Sequence, residues 1–235
     1  MNGQVVATPE EWLKARLELL EAEKAFARQG DALAARRRTL PWVKVEKDYR
    51  FRTNDGERSL ADLFGPHSQL IVQHFMLGPG WEAGCPMCSF WADGYDGMAI
   101  HMAARDAAFV AVSRGSLDAI NTYRKRMGWS FDWVSCEGSD FNFDFNVSFT
   151  DEQLASGVAT YNYRTEENEM DELPGTSVFA KNAAGEVFHT YSTYGRGLDR
   201  MNGAYAYIDL TPKGRDEDEL PFPMAWVRRH DEYGG

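Results

Sequence analysis

The chain has 235 residues, 43% hydrophobic and 26% charged, with 7 Trp, 10 Tyr and 14 Phe. That apolar mass supports one substantial core and excludes disordered and disulfide-scaffold classes. A net charge of −11 repels a nucleic-acid backbone and an anionic membrane surface, and no apolar run approaches the roughly 20 residues that span a bilayer. The N-terminal stretch from Met1 to Pro9 lacks a basic region followed by an apolar one, so no signal peptide is expected and the protein reads as cytoplasmic. Only 3 Cys occur, fewer than a stapled secreted fold would use.

The first element is a helix over about Pro9 to Gln29. Thr8 is its N-cap, Pro9 suits the first helical position, and Glu11 completes a capping box. Trp12, Leu19 and Phe26 recur at seven, with Leu13, Leu20 and Ala27 beside them. This stripe lies outside the core unit and predicts a homodimer packed through the helical arm. Asp31 to Arg38 ends in three arginines, read as a solvated helix end that complements the dipole.

Leu40-Pro41 breaks the pattern. Trp42, Val43, Val45, Tyr49 and Phe51 then read as strand, Asn54-Asp55-Gly56 as a turn, and Leu60 to Phe64 as one helical turn. Gln69 to Met76 is a buried strand that enters a Gly/Pro loop, Gly78 to Gly84. A helical pattern follows through Cys88, Trp91, Tyr95, Met98 and Met102. Next come a strand at Ala108 to Val112, a helix capped by Ser116 to about Met127, and a strand at Phe131 to Ser135 that reaches Cys136. Glu137 to Asp171 has no clean period and reads as an excursion with one short helix near Asp151. Thr176 to Ala180 and Val187 to Tyr191 form a hairpin around Asn182 to Gly185. Arg196 to Leu210 reads as helix, and the acidic end, Thr211 to Gly235, has Phe222 and Trp226 as anchors. The organisation is thus a helical arm over 1–40, an α/β domain over 41–210 and an acidic tail over 211–235. Alternating strands and helices closed by a hairpin predict a central mixed sheet with helices on both faces.

Cys85 and Cys88 carry the chemistry. Cys85 follows a strand and opens a helix, where unpaired N–H groups and the dipole stabilise a thiolate. Pro86 fills the first turn, and Cys88 lies one turn on, closer to the core. The spacing fits an exposed Cys85 thiolate that attacks a disulfide or peroxide, and a Cys88 that resolves the intermediate. Two other classes stay open: a peroxidase-like thiol reductant, and a non-catalytic binding or scaffold protein. Zinc wants about four ligands, and one C-x-x-C with Cys136 far away and five scattered His does not supply them. No metal or organic cofactor is implied; the expected partner is a protein or small-molecule thiol or disulfide.

Among the remaining residues, Cys136 reads as a buried, inert thiol and His74 as a hydrogen-bonded core histidine. Trp81 shields the dithiol, receives a substrate or serves as plain packing. Glu82 is placed to take a proton, and its charge beside the thiolate would raise the Cys85 pKa. Asp93 and Asp96 read as a solvated helix face. The polar, aromatic run from His189 to Tyr194 reads as strand and turn packing.

The Leu40-Pro41-Trp42-Val43 segment, the block from Gly84 to Trp91, the run from Phe188 to Gly197 and Leu210-Thr211-Pro212 together resemble the thioredoxin-like superfamily, its peroxiredoxin branch included. More closely, the chain resembles the bacterial family called domain of unknown function 899, over most of its length. The resemblance implies a thioredoxin-like three-layer α/β sandwich around a mixed sheet, extended by the N-terminal helix. It also implies thiol chemistry at Cys85 and Cys88, with Trp81, Pro86 and Thr176 at the substrate side. Thr176 stands nearest to the place where thioredoxins carry a cis-proline, since Pro174-Gly175 sits slightly early. Where peroxiredoxins carry a proline and a hydroxyl residue ahead of their cysteine, this chain has Gly78 and Glu82.

Overall fold

The structure, a computed structural model, describes residues 5–234. The chain divides into two compact units after Pro41. The first is built on one helix, α1 (Pro9–Arg37), whose N-terminus carries the expected capping box. Thr8 Oγ1 accepts from the Glu11 N–H at 3.3 Å, and the Glu11 carboxylate accepts from the Thr8 N–H at 2.9 Å. The helix runs past Gln29, where the sequence reading ended it. Gly30 costs about 1 kcal/mol against alanine in a helix interior, and the strong helix formers Ala32 to Arg37 outweigh it. No residue of α1 is buried; Trp12 is 61% and Phe26 64% exposed.

The second unit contains β1 (Val43–Lys44), β2 (Arg50–Thr53), β3 (Gly56–Ser59), β4 (Gln69–His74), α2 (Pro86–Ala92), α3 (Tyr95–Ala103), β5 (Ala107–Ser113) and α4 (Leu117–Arg126). It continues with β6 (Trp133–Ser135), α5 (Phe141–Asp144), α6 (Asp151–Ser156), β7 (Val158–Tyr161), β8 (Arg164–Glu167), β9 (Gly175–Lys181), β10 (Val187–Tyr194) and α7 (Gly203–Ile208). Eight strands form one sheet in the order β1-β10-β9-β4-β5-β6-β2-β3. β4, β5 and β6 run parallel, and the remaining pairs are antiparallel. The β4-α2-α3-β5 crossover beside the β9-β10 hairpin makes the β10-β9-β4-β5 unit of a thioredoxin-like fold.

Side-chain alternation along β4 divides the core. Leu70 and Val72 point to a cluster with Phe51, Phe64, Phe141 and Phe179, under α5 and the 3-10 turn Asp62–Phe64. Past the strand, Phe75 and Leu77 belong to the opposite cluster, with Cys85, Cys88, Tyr95, Tyr123 and Trp133, under α2, α3 and α4.

Four expected elements differ. The segment from Trp42 to Phe51, read as one strand, is β1 and β2, which pair at opposite ends of the sheet because the chain crosses between them. The pattern read as one helix from Cys88 to Met102 is two helices, broken at Asp93-Gly94. Arg196 to Leu210 is a 3-10 helix (Gly195–Met201) followed by α7, because Asn202 caps a fresh helix by accepting from the Tyr205 N–H at 3.1 Å. The excursion holds α5 and the two-stranded β7-β8 hairpin besides the expected α6. Its loop, Asn162-Tyr163, has φ of 48° and 64°, a primed turn without the usual glycine. β8 is exposed throughout, so no alternation betrays it. In the last segment Trp226 packs on Phe90 with ring centroids 5.5 Å apart, whereas Phe222, expected as a second anchor, is 54% exposed. Among the described residues no helix is long and apolar enough to cross a membrane.

Candidate functional site

The chain leaves β4, turns through residues 77–84 and returns to the sheet end. The Cys85 N–H closes this turn on the Met76 carbonyl at 3.0 Å. Gly84 is dictated by the close approach: a Cβ there would lie 2.5 Å from the Phe75 ring and 2.6 Å from that of Tyr123. Pro86 is the first residue of α2 and half-buried, and Cys85 occupies the cap position.

Both cysteines are thiols. Cys85 is 7% exposed, so its sulfur is sheltered rather than exposed as the spacing suggested. Its pKa is lowered to about 7, first by the thiol of Cys88, which hydrogen-bonds to it, and then, against burial, by the N–H groups of Cys88 and Met87 and the charge of Arg229. The Cys85 sulfur makes no standard capping hydrogen bond; the N–H groups act on it as the positive end of the helix. Cys88 moves the other way, well above the usual thiol range, because Cys85 takes its hydrogen bond, because it is buried, and because the neighbouring charge repels a second. The pair is thus polarised: the first thiol is the one that ionises first, and the second keeps its proton.

A ring of hydrogen bonds fixes the peptide around Cys85. Ser89 Oγ donates to the Cys85 carbonyl at 2.8 Å and pairs with the Tyr123 hydroxyl at 2.8 Å. Arg229 donates to that hydroxyl from Nε at 3.1 Å and to the Gly84 carbonyl from Nη2 at 2.8 Å. Glu232 holds the third nitrogen of this guanidinium at 2.9 Å. Arg126 secures the same segment by bonding to Asp231 at 2.7 Å and Glu232 at 3.0 Å. Sequence reasoning singled out none of Ser89, Tyr123 and Arg229. Only Ser89, one turn after Cys85 on the same helix, left a signal in its spacing.

Trp81 is half-buried and packs against the cluster that contains both cysteines. Thr176 is buried on β9 and gives its hydroxyl to Gln73 Oε1 at 2.6 Å, one residue before the end of β4. Among the described residues no peptide bond is cis. Glu82 is exposed, and the Cys85 pKa goes down rather than up, so the expected rise from its carboxylate does not set it. Asp93 and Asp96 are not a free solvated face. Asp93 accepts from Trp129 Nε1 at 2.9 Å and pairs with His230 at 2.6 Å, and Asp96 accepts from the Ser130 N–H at 2.9 Å.

Cys136 is fully buried, as expected, and burial pushes its pKa up to about 12. His74 is the core histidine expected, with Nδ1 3.0 Å from Asn142 Oδ1 and Nε2 2.9 Å from Ser177 Oγ. Ser177, Ser192 and His189 extend that polar chain across the β9-β10 hairpin. Glu172, unremarked in the sequence, is a buried carboxylate held by Arg114 at 2.9 Å and Ser148 at 2.7 Å. Burial raises its pKa to about 7, and its charge acts to raise both Cys88 and Cys136. Among the described residues no group of three or more metal-ligating side chains gathers.

The solved structures similar to this chain include two peroxiredoxin-type proteins. Peroxiredoxin Q of Xanthomonas campestris is 12% identical, with a TM-score of 0.47 over 72% of this chain and 97% of that one. The peroxidoxin BcpB of Mycobacterium tuberculosis is 13% identical, with a TM-score of 0.40 over 69% of this chain and 92% of that one. No curated protein matches the sequence significantly. The family described as "Bacterial protein of unknown function (DUF899)" matches residues 1–233, essentially the whole chain, and the protein belongs to that family.

Proposed function

We propose that the protein is a thiol–disulfide oxidoreductase in which Cys85 is the nucleophile and Cys88 the resolving thiol. The supporting observation is the opposite displacement of the two thiols, Cys85 down to about 7 and Cys88 well up. A thiol with a pKa near ambient pH is the best attacking group, since it combines thiolate population with nucleophilicity. In the first step the Cys85 thiolate attacks one sulfur of a substrate disulfide. An S–S bond to Cys85 forms, the substrate S–S bond breaks, and one substrate thiolate leaves. Its charge and Cys88's proton then cancel: the departing thiolate takes that proton. The Cys88 thiolate attacks Cys85 and expels the second substrate thiolate. The substrate gains two electrons, the protein is left with a Cys85–Cys88 disulfide, and an external thiol reductant closes the cycle. In this reading Trp81, Pro86 and Thr176 contact the substrate.

The test is the equilibrium of the Cys85–Cys88 pair against glutathione buffers, read by alkylation and mass spectrometry. A reversible two-electron transition is expected, with a tenfold change in equilibrium constant for every 30 mV or so. A dithiol that forms no disulfide anywhere in the accessible range rejects the mechanism and leaves a non-catalytic scaffold. Consumption of a hydroperoxide at the expense of a thiol donor identifies a peroxidase-like reductant instead.

The exposed stripe of α1 supports a second element of the reading, a homodimer formed through this helix. Light scattering at micromolar concentration is expected to give twice the chain mass; a monomer rejects the dimer.

A further inference from the structure

The last stretch of the chain, 226–233, is tied down by its side chains. Its backbone bonds stay local: the Val227 N–H reaches the Met224 carbonyl and the Glu232 N–H reaches the Arg229 carbonyl, each at 2.9 Å. Among the described residues no backbone–backbone hydrogen bond joins this stretch to the sheet or to another helix. It is held instead by Trp226 on Phe90, by buried Val227, by His230 on Asp93, and by Asp231 and Glu232 on Arg126. A segment fixed in this way can open locally without breaking any strand or helix of the fold.

Arg229 connects the stretch to the dithiol. Its guanidinium forks the Gly84 carbonyl, one peptide ahead of Cys85, from Nε at 3.1 Å and Nη2 at 2.8 Å. The same Nε donates to the Tyr123 hydroxyl, whose other partner, Ser89, donates to the Cys85 carbonyl. After the Cys88 hydrogen bond and the helix N–H groups, the positive charge of Arg229 favours the Cys85 thiolate. Coupling of this kind is reciprocal, so the thiolate favours docked Arg229 by the same factor.

We infer that residues 226–233 form a redox-linked strap, docked while Cys85 carries its charge and loosened when Cys85 and Cys88 join as a disulfide. In that step the thiolate and the thiol pass two electrons and one proton to the substrate disulfide, which leaves as one thiol and one thiolate. The negative charge beside Arg229 leaves with them. Glu232 and the Gly84 carbonyl remain as partners of the guanidinium, so the strap opens more often and the fold persists. The disulfide half of this inference rests on the proposed dithiol chemistry; the link between the Cys85 charge and docking does not.

Trypsin reads the strap directly. Cleavage after Arg229 requires its guanidinium inside the protease, and docking keeps that side chain 19% exposed. When reclosing is fast, the rate follows the open population. The full chain is digested and release of the peptide 230–235 is followed by mass spectrometry. Oxidation with diamide, a two-electron dithiol oxidant, is expected to speed release once the mass confirms the loss of two hydrogens. The factor is expected to match the shift of Cys85 ionisation in Arg229→Gln, about threefold for half a pKa unit. Reduced Cys85→Ser is expected to release the peptide faster than the reduced parent with no disulfide present. This arm still decides the strap if the dithiol never oxidises, so the two readings fail separately. Cleavage after Arg58, in the exposed edge strand β3, is expected to stay unchanged throughout. Equal release from reduced parent and Cys85→Ser, no change when the disulfide has formed, or a rise shared by the Arg58 bond overturns the proposal.

Discussion

Replacing Cys85 by serine is expected to abolish disulfide exchange, while Cys88→Ser stops it half-way. A serine hydroxyl is not ionised near neutral pH, so Cys85→Ser leaves no nucleophile, and the loss exceeds roughly a thousandfold. Cys88→Ser retains the attacking thiol and a hydroxyl that still donates to it. It is therefore expected to accumulate a one-to-one mixed disulfide at Cys85, visible as an added mass that dithiothreitol removes. The pH dependence belongs to the same experiment. The Cys85 thiol has a pKa of about 7, so its alkylation by iodoacetamide is expected to be half-maximal near pH 7 and to fall about tenfold per unit below that. Arg229 contributes positive charge that favours the thiolate. Arg229→Gln is expected to move the half-point to higher pH and to slow alkylation at pH 6.5, with little change at pH 9. A profile centred at the ordinary thiol value in the parent chain would contradict the polarised pair. An unchanged half-point in the variant would remove Arg229 from the site.

The second large effect is on stability. His74 is fully buried against the Phe141 and Phe145 rings, with centroids 5.5 and 5.8 Å away, and bonds Asn142 and Ser177. Burial holds its pKa down to about 4, against about 6.5 in an unfolded chain. Between these values the unfolded chain binds a proton that the folded chain refuses. The stabilisation is therefore complete above pH 6.5 and is lost as pH falls through 4, an effect of about 3 kcal/mol. His189 is lowered in the same direction, also by burial. Glu172 opposes them. Its folded pKa is raised to about 7, so the folded chain binds the extra proton between pH 7 and about 4.5, and stability rises as pH falls there. The parent chain alone therefore shows a flattened profile, and the comparison with His74→Gln separates the two. Urea midpoints are expected to place His74→Gln well below the parent at pH 7, with the gap shrinking by about 3 kcal/mol by pH 4. A gap constant across that range would mean that His74 is not held neutral by the fold.

Much of the scaffold was legible because it is written in local chemistry. The Thr8–Glu11 capping box, the Ser116 cap, the apolar run of β4 and the turn at Asn182 to Gly185 each rest on side chains within a few residues of the backbone they order. The position of Cys85 and Cys88 at a helix start follows the same rule, since a strand, a glycine loop and a proline at the first helical turn are contiguous. Where local signals were weak, the reading failed: the exposed β8 strand buries nothing that a period would reveal, and Asn202 restarts a helix inside a continuous apolar pattern.

What surrounds the two sulfurs belongs to the tertiary structure. Arg229 reaches the Gly84 carbonyl across 145 positions of sequence, and nothing near Arg229 in the chain marks it as a neighbour of a thiol. Glu172 reads as one acidic residue among many until β9 and the loop at Ser148 bury it beside Arg114. The sequence by itself determined the pair of thiols, their place at the start of α2 and the thioredoxin-like order of elements. The tertiary structure alone decided that Cys85 is sheltered and which distant side chains hold the peptide around it. Hydrogen bonds and burial act over a few ångströms of space, and the folded path chooses which distant residues lie within them.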